Sequence, residues 1–152
     1  MKIKDLKKNY KDGLLNKEKF INEAMYIHQK LFDYFEVLKE TDVKKINITH
    51  DGISFIIGNY EIILFIPPNE KRVAPLEIIN FDIYEKNETY IIDLLSSESK
   101  HIIDIGANIG YHAIRFAKKN PYANIHAFEP MNTSYSYLIK NIFLNKANSN
   151  IF

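Results

Sequence analysis

Apolar positions along the chain change period, and each change marks a different kind of element. Phe20, Ala24, Ile27, Leu31, Phe35 and Leu38 step by four, three, four, four and three, which is one face of an amphipathic helix. Asn16 stands where an N-cap is wanted. The face reads as packing surface, with a partner helix or homodimer contact as the alternative. Isoleucines and aromatics then gather in three short runs, Lys45–His50, Ile53–Ile57 and Tyr60–Ile66, separated by Asp51-Gly52 and Gly58-Asn59. Such pairs between short apolar runs are hairpin signals, so an antiparallel meander is predicted. Pro67-Pro68 ends it. A loop through Pro75 follows, and Glu85–Leu95 reads as a helix burying Ile91, Ile92 and Leu95.

From His101 the pattern changes again. His101–Ile105 is continuously apolar apart from Asp104, as strands buried on both faces of a parallel sheet are. A helix from about Asn108 buries Ala113, Ile114, Phe116 and Ala117, and Pro121 lies just beyond its end. Asn124–Phe128 is the second strand. Asn132 or Thr133 caps a helix to about Asn145, with Leu138, Ile139 and Ile142 inward, and Ile151-Phe152 opens a third strand. Alternating strands and helices predict a parallel α/β domain. The fold class is therefore α/β, Rossmann-like and incomplete, preceded by a helix and a small β-meander. The expected boundaries are 1–42 for the helical extension, 43–97 for the meander and lead-in helix, and 98–152 for the α/β start.

The chemistry concentrates where the first strand meets its helix, in Asp104-Ile105-Gly106-Ala107-Asn108-Ile109-Gly110-Tyr111. Glu129 follows Gly110 by 19 positions, at the end of the second strand. A strand, a glycine turn, a helix and a second strand ending in an acid is how doubly wound domains hold a nucleoside, with the ribose on the acid. A dinucleotide fingerprint needs glycines two and five positions after the first. Those places hold Asn108 and Tyr111. Asp104 at the loop mouth would repel a pyrophosphate and attract an ammonium and a sulfonium. S-adenosylmethionine carries both and no phosphate.

This loop, the run Ala127-Phe128-Glu129-Pro130 and the run Leu138-Ile139-Lys140-Asn141-Ile142-Phe143-Leu144-Asn145 closely resemble the FkbM-type S-adenosylmethionine-dependent methyltransferases. Upstream, Ile66-Pro67-Pro68-Asn69-Glu70 and Ala74–Phe81 look like that family's lead-in, so the resemblance covers roughly Asp51 to Phe152. It implies a class I methyltransferase fold and O-methylation of a sugar or other hydroxyl on a glycan or natural product. Asp104, Gly106, Asn108 and Gly110, with Ala107 and Tyr111, would surround the methionine half of S-adenosyl-L-methionine. Glu129 would hold the ribose, and Pro130 would lie near the adenine. The residues name no catalytic base. The 52 residues from His101 onward fall short of two βαβ units of roughly 30 residues each, so the donor domain is expected to be incomplete. The chain alone is expected not to turn over, and to self-associate through the open edge of His101–Ile105 unless a downstream segment completes it. The rival reading is a non-catalytic remnant or interaction module.

Composition changes little. Lys and Arg number 20 against 19 Asp and Glu, a net charge of +1, which argues against nucleic acid as an electrostatic partner. Lys2, Lys4, Lys7, Lys8, Lys11, Lys17 and Lys19 read as a solvated, frayed start. Absence of cysteine removes disulfides and thiolate zinc sites. No secretory h-region follows Met1, and Ile53–Ile66 is too short and too interrupted to cross a bilayer, so a cytoplasmic location is expected. No pair among the five histidines has metal-ligand spacing. His101 and His126 read as packing residues. His112 reads as a helix-start residue, or alternatively as a group reaching the cofactor. Glu85 and Glu88 are alternatives for covering the loop. Asn141 and Asn145 read as structural.

Overall fold

The computed structural model describes residues 2–147 and 150–152. They form two compact units, Met1–Glu40 and Thr41–Phe152. The first holds α1 (Ile3–Lys11) and α2 (Lys17–Glu40). Asn16 caps α2, its Oδ1 accepting the Lys19 amide at 2.8 Å. The lysine-rich start is a helix, not a frayed segment, because it has an apolar side: Leu6 is buried and Tyr10 stacks on Phe20 with ring centroids 4.9 Å apart. The expected packing face of α2 is only partly used, with Ala24 buried and Leu31 and Phe35 exposed. No helix among the described residues is long and apolar enough to cross a membrane.

The second unit opens with the meander. Strands β1 (Val43–Thr49), β2 (Gly52–Ile57) and β3 (Ile62–Phe65) are antiparallel in that order. Thr49 pairs with Gly52, so the first turn is centred on His50-Asp51. Ile57 pairs with Ile62, so the second loop runs over four residues, Gly58 to Glu61, not the expected two. Both ends of that loop are left-handed, Gly58 at φ 63° and Glu61 at φ 49°. Two helices follow. The first, α3 (Ala74–Phe81), starts at the end of the expected loop and fills the unassigned stretch after it, with Pro75 in its first turn, where the missing amide costs nothing. The second, α4 (Lys86–Ser96), was expected to bury Ile91, Ile92 and Leu95; Ile92 is half-buried, and the other two are exposed.

The α/β part consists of β4 (His101–Ile105), α5 (Tyr111–Lys119), β5 (Asn124–Phe128) and α6 (Asn132–Leu144). β4 and β5 are parallel, pairing from His101 with Asn124 to Ile105 with Phe128. Ile151 bridges Ile125 in parallel, with Phe152 N–H donating to the Ile125 carbonyl at 2.8 Å. The order is thus β4, β5, Ile151, the opening half of a doubly wound Rossmann-like sheet. Ala113, Ile114, Phe116 and Ala117 are buried, as the helical spacing requires. On α6, Leu138 and Ile142 are buried but Ile139 is 48% exposed. Neither Asn132 nor Thr133 caps that helix: Met131 precedes it, and Glu129 Oε1 accepts the Met131 amide at 2.8 Å.

Two ties place the loop between β4 and α5. On one side, α4 is fastened to α5 by the two-pronged Arg115–Asp93 ion pair and by Lys119 Nζ on the Asp93 carbonyl at 2.8 Å. On the other, the side chains of Asn141 and Asn145 lie along β3. Asn145 Oδ1 accepts from Ile63 N–H at 2.9 Å, and its Nδ2 donates to the Ile63 carbonyl at 2.7 Å. Asn141 treats Phe65 the same way and also donates to the Ile109 carbonyl at 2.8 Å. The geometry matches: four residues of helix rise about 6 Å, and two residues of strand about 6.6 Å. The far edge of β4 has no strand partner among the described residues, and Ile103 and Ile105 are 67% and 83% exposed.

Candidate donor-binding site

The loop alternates. Gly106, Asn108 and Gly110 are left-handed at φ 83°, 50° and 95°, while Ala107 and Ile109 between them are buried. The buried residues pin the loop; the left-handed ones turn it. Asn tolerates that region better than most residues, which is why it can occupy a glycine-like place. The two glycines differ in kind. A Cβ on Gly110 would lie 2.7 Å from Leu138 Cδ1, so α6 packs against bare backbone there. A Cβ on Gly106 would meet nothing within 4 Å. Gly106 therefore supplies conformation and open space. Its amide and that of Ala107 both donate to the Phe128 carbonyl, at 2.8 and 3.0 Å, which ties the loop to the end of β5.

Glu129 is joined to the loop directly. Its Oε2 accepts the Asn108 amide at 2.8 Å, while Oε1 accepts from Met131. The carboxylate thus bridges the loop and the start of α6, and each oxygen keeps a lone pair for further donors. Asp104 sits at the end of β4. Burial pushes its carboxyl above the ordinary carboxylate range, an effect opposed by nearby His112 and by a hydrogen bond from the Ala113 amide. Its Oδ2 is buried and has no partner. Asn108 Nδ2 donates to the Arg72 carbonyl at 3.3 Å, and its Oδ1 is likewise buried without a partner.

Asp104, Gly106, Ala107, Asn108 and Tyr111 all line one small cavity of ≈30 Å³, together with Ala74, Tyr84, Ile109 and His112. Gly110 is the N-cap of α5 beside it. Pro130 is exposed and lies outside this cavity, directly after Glu129. A larger cleft of ≈280 Å³ runs along the open side of β4; Ile92, Leu95, Ile103 and Ile105 border it, and Asp104 and His112 are shared with the small cavity.

The structure also brings in residues from a different element. His112 Nε2 lies 3.0 Å from Glu85 Oε2. The Tyr84 ring is 5.5 Å from the His112 ring and edge-on to Tyr111 at 5.2 Å. Burial, reinforced by Glu85, pushes the Tyr84 phenol far above its usual range. Glu85 is one of the two acids named as alternatives for covering the loop, and it reaches His112 beside it; Tyr84 carries no local sequence signal for this site. They arrive through the left-handed turn at Glu85 (φ 45°) that starts α4, a conformation with no glycine to announce it. Glu88, the other acid weighed for this place, makes no contact with the loop among the hydrogen bonds of the described residues.

No family model matches the chain. Over 55 residues it is 40% identical to the tRNA(Phe) (4-demethylwyosine(37)-C(7)) aminocarboxypropyltransferase of Methanocaldococcus jannaschii, a stretch covering 36% of this chain and 22% of that one. Over 50 residues it is 44% identical to methyltransferase sdnD of Sordaria araneosa, covering 33% of this chain and 19% of that one. Among solved structures it is similar to M. jannaschii TYW2 in complex with AdoMet, with a TM-score of 0.44 and 24% identity over 65% of this chain and 41% of that one. The chain matches about a fifth of the length of these curated relatives, 22% and 19%.

Proposed function

We propose that this chain carries the donor-binding segment of an S-adenosylmethionine-dependent methyltransferase. The observation that carries the reading is the pair of carboxylates flanking the loop. Glu129 is fixed on the Asn108 amide, and Asp104 and Asn108 leave buried acceptors unpaired beside it. A site lined by acceptors and acids favours a cationic ligand and disfavours a phosphate. Asp104 and Asn108 would hold the methionine half, the open space at Gly106 would let the ligand approach the backbone, and Glu129 would take the ribose hydroxyls. The bound donor would supply an electrophilic methyl group. The chain's own residues would fix its position and offset its charge. The methyltransferase name of the Sordaria araneosa relative supports this reading.

The finer reading, from the resemblance to FkbM-type enzymes, is O-methylation of a sugar or other hydroxyl on a glycan or natural product. The Methanocaldococcus jannaschii relative is named for aminocarboxypropyl transfer instead, and that is the second reading. The two break different sulfur–carbon bonds. Methyl transfer leaves S-adenosylhomocysteine, whereas aminocarboxypropyl transfer leaves methylthioadenosine. The first test is thermal shift with S-adenosylhomocysteine and with NAD. A rise in melting temperature with the former alone is expected; a rise with NAD alone would overturn the reading. Product analysis of the complete protein with donor and acceptor, reading S-adenosylhomocysteine against methylthioadenosine, then separates the two transfers from a module that binds without turnover.

A further inference from the structure

The long helix α2 has two apolar faces. Phe20, Ala24 and Ile27 form the inner one: Tyr10 of α1 stacks on Phe20, Ala24 is buried and Ile27 is half-buried. Each has an outer neighbour one residue later, about 100° further round the helix. The outer face holds Ile21, Met25, His28, Phe32 and Phe35, which step by four, three, four and three. That is the spacing of a coiled-coil seam. All five are exposed, the four apolar ones by more than half, and Leu31 alongside is equally open. Exposed apolar residues scattered singly need no explanation, but a contiguous stripe along about four turns marks an interaction surface. A 3.5-residue repeat keeps such a stripe turned toward a second helix.

The charges choose the orientation. Glu18 and Lys39 are the next seam positions, three before Ile21 and four after Phe35. A parallel pair would set Glu18 against its own copy at one end and Lys39 against its own copy at the other, and like charges repel. An antiparallel pair brings opposite signs together. Lys39 is paired with Glu36 of its own helix at 2.8 Å, an exposed contact that does not hold it from a second partner. The flanks agree. The helix α1, whose Tyr10 lies against the start of α2, carries Lys4, Lys7, Lys8 and Lys11 against Asp5 alone. The last turns of α2 carry Asp33, Glu36 and Glu40 against Lys39. Antiparallel copies lay the basic end of one along the acidic end of the other.

We propose that α2 pairs with α2 of a second copy of this chain, antiparallel, along the seam from Ile21 to Phe35. Two copies bury the exposed halves of these large side chains, on the order of 1,000 Å² at roughly 200 Å² for each whole side chain. That is the size at which a specific interface begins. The dimer is therefore reversible and forms at tens of micromolar chain. The seam lies wholly within the helical unit Met1–Glu40 and does not depend on the donor reading.

Sedimentation of the 152-residue chain tests it. A concentration-dependent dimer is expected. Phe32→Glu should raise its dissociation constant at least tenfold with an unchanged far-UV circular dichroism spectrum, and Met25→Lys should act likewise. Ile103→Lys, on the open edge of β4, should leave the dimer intact. Orientation is read by spin labels. The chain has no cysteine, so Lys17→Cys gives one label per copy. Antiparallel helices of 24 residues place the two labels about 30–40 Å apart, whereas parallel ones place them within about 20 Å. A monomer at every concentration, a dimer that survives both folded seam variants, a dimer lost only in Ile103→Lys, or the short label distance would overturn the inference.

Discussion

The side chain of Asn141 binds Phe65 as a neighbouring strand would, accepting from its N–H at 2.8 Å and donating to its carbonyl at 3.1 Å. With its donation to Ile109, one fully buried amide joins the meander, α6 and the glycine loop. Asn141→Leu should therefore cost more than a lost surface contact. Each buried group left unsatisfied costs about 1–3 kcal/mol, so the unfolding free energy should fall by at least about 2 kcal/mol. Asn145→Leu, at a half-buried position, should cost less. Urea denaturation would measure both, and a change under about 0.5 kcal/mol for Asn141→Leu would contradict the edge-pairing account.

The two loop glycines should separate. Gly106→Ala adds only left-handed strain, about 1–2 kcal/mol, because a Cβ there meets no neighbour. Gly110→Ala adds the same strain plus a 2.7 Å contact with Leu138, a further cost of about 1–3 kcal/mol for overpacking. Gly110→Ala should thus be the less stable variant in a denaturant titration, and in a double-mutant cycle Leu138→Ala should cost less in the Gly110→Ala chain than in wild type. Equal stabilities would contradict the packing role given to Gly110.

Asp104 should trade stability for binding. Its folded-state pKa lies above the ordinary value of 3.8, mainly through burial. The ionised form is therefore disfavoured in the folded chain. That cost is full above the folded value and absent below the unfolded one. Asp104→Asn should melt above wild type near pH 7, and the gap should close as the pH falls towards about 3. The same variant should bind S-adenosylhomocysteine more weakly by about 1.5–3 kcal/mol. A variant less stable than wild type at neutral pH would count against the buried-charge account.

Asp93 carries the opposite sign. The hydrogen bond from Arg115 holds its carboxyl below 3.8, against a smaller opposing effect of burial. Its contribution is present above 3.8 and lost as the pH falls through the lower folded value. Asp93→Asn should destabilise the chain at neutral pH by about 1.5–3 kcal/mol, the worth of hydrogen bonds to a charged group, with little difference from wild type in strong acid. Urea melts at the two pH values would show whether the penalty disappears as stated.

Legibility in the sequence followed the source of each element's order. β4 and β5 are legible to the residue, because each is a short, mostly apolar run stopped by residues that break a strand, Gly106 and Glu129-Pro130. The loop was legible because left-handed positions select Gly and Asn. α3 was not, since Pro75 suggests a break as readily as a first turn. Ile91, Leu95 and Ile139 obey helical spacing yet stay exposed; periodicity records which side is apolar but not whether anything covers it. Leu95 borders the cleft along the open edge of β4. Glu85 and Tyr84 reach the site by a turn that no residue type advertises. Asn141 and Asn145 are structural, as the sequence suggests, and their partner is a strand 76 to 82 positions away, which no local pattern reveals.

Asn108 performs two jobs with different atoms. Its backbone adopts the left-handed turn a glycine would supply, and its side-chain oxygen gives the cavity an acceptor. Shape and ligand preference are therefore encoded at one position yet remain separable. Exchanging Asn108 for Gly would keep the path of the loop while removing the acceptor and clearing room beside Asp104. A substitution at this one position would thus change what the cavity offers a ligand without rebuilding the backbone, whereas a switch to anionic ligands would also require replacing the carboxylates of Asp104 and Glu129.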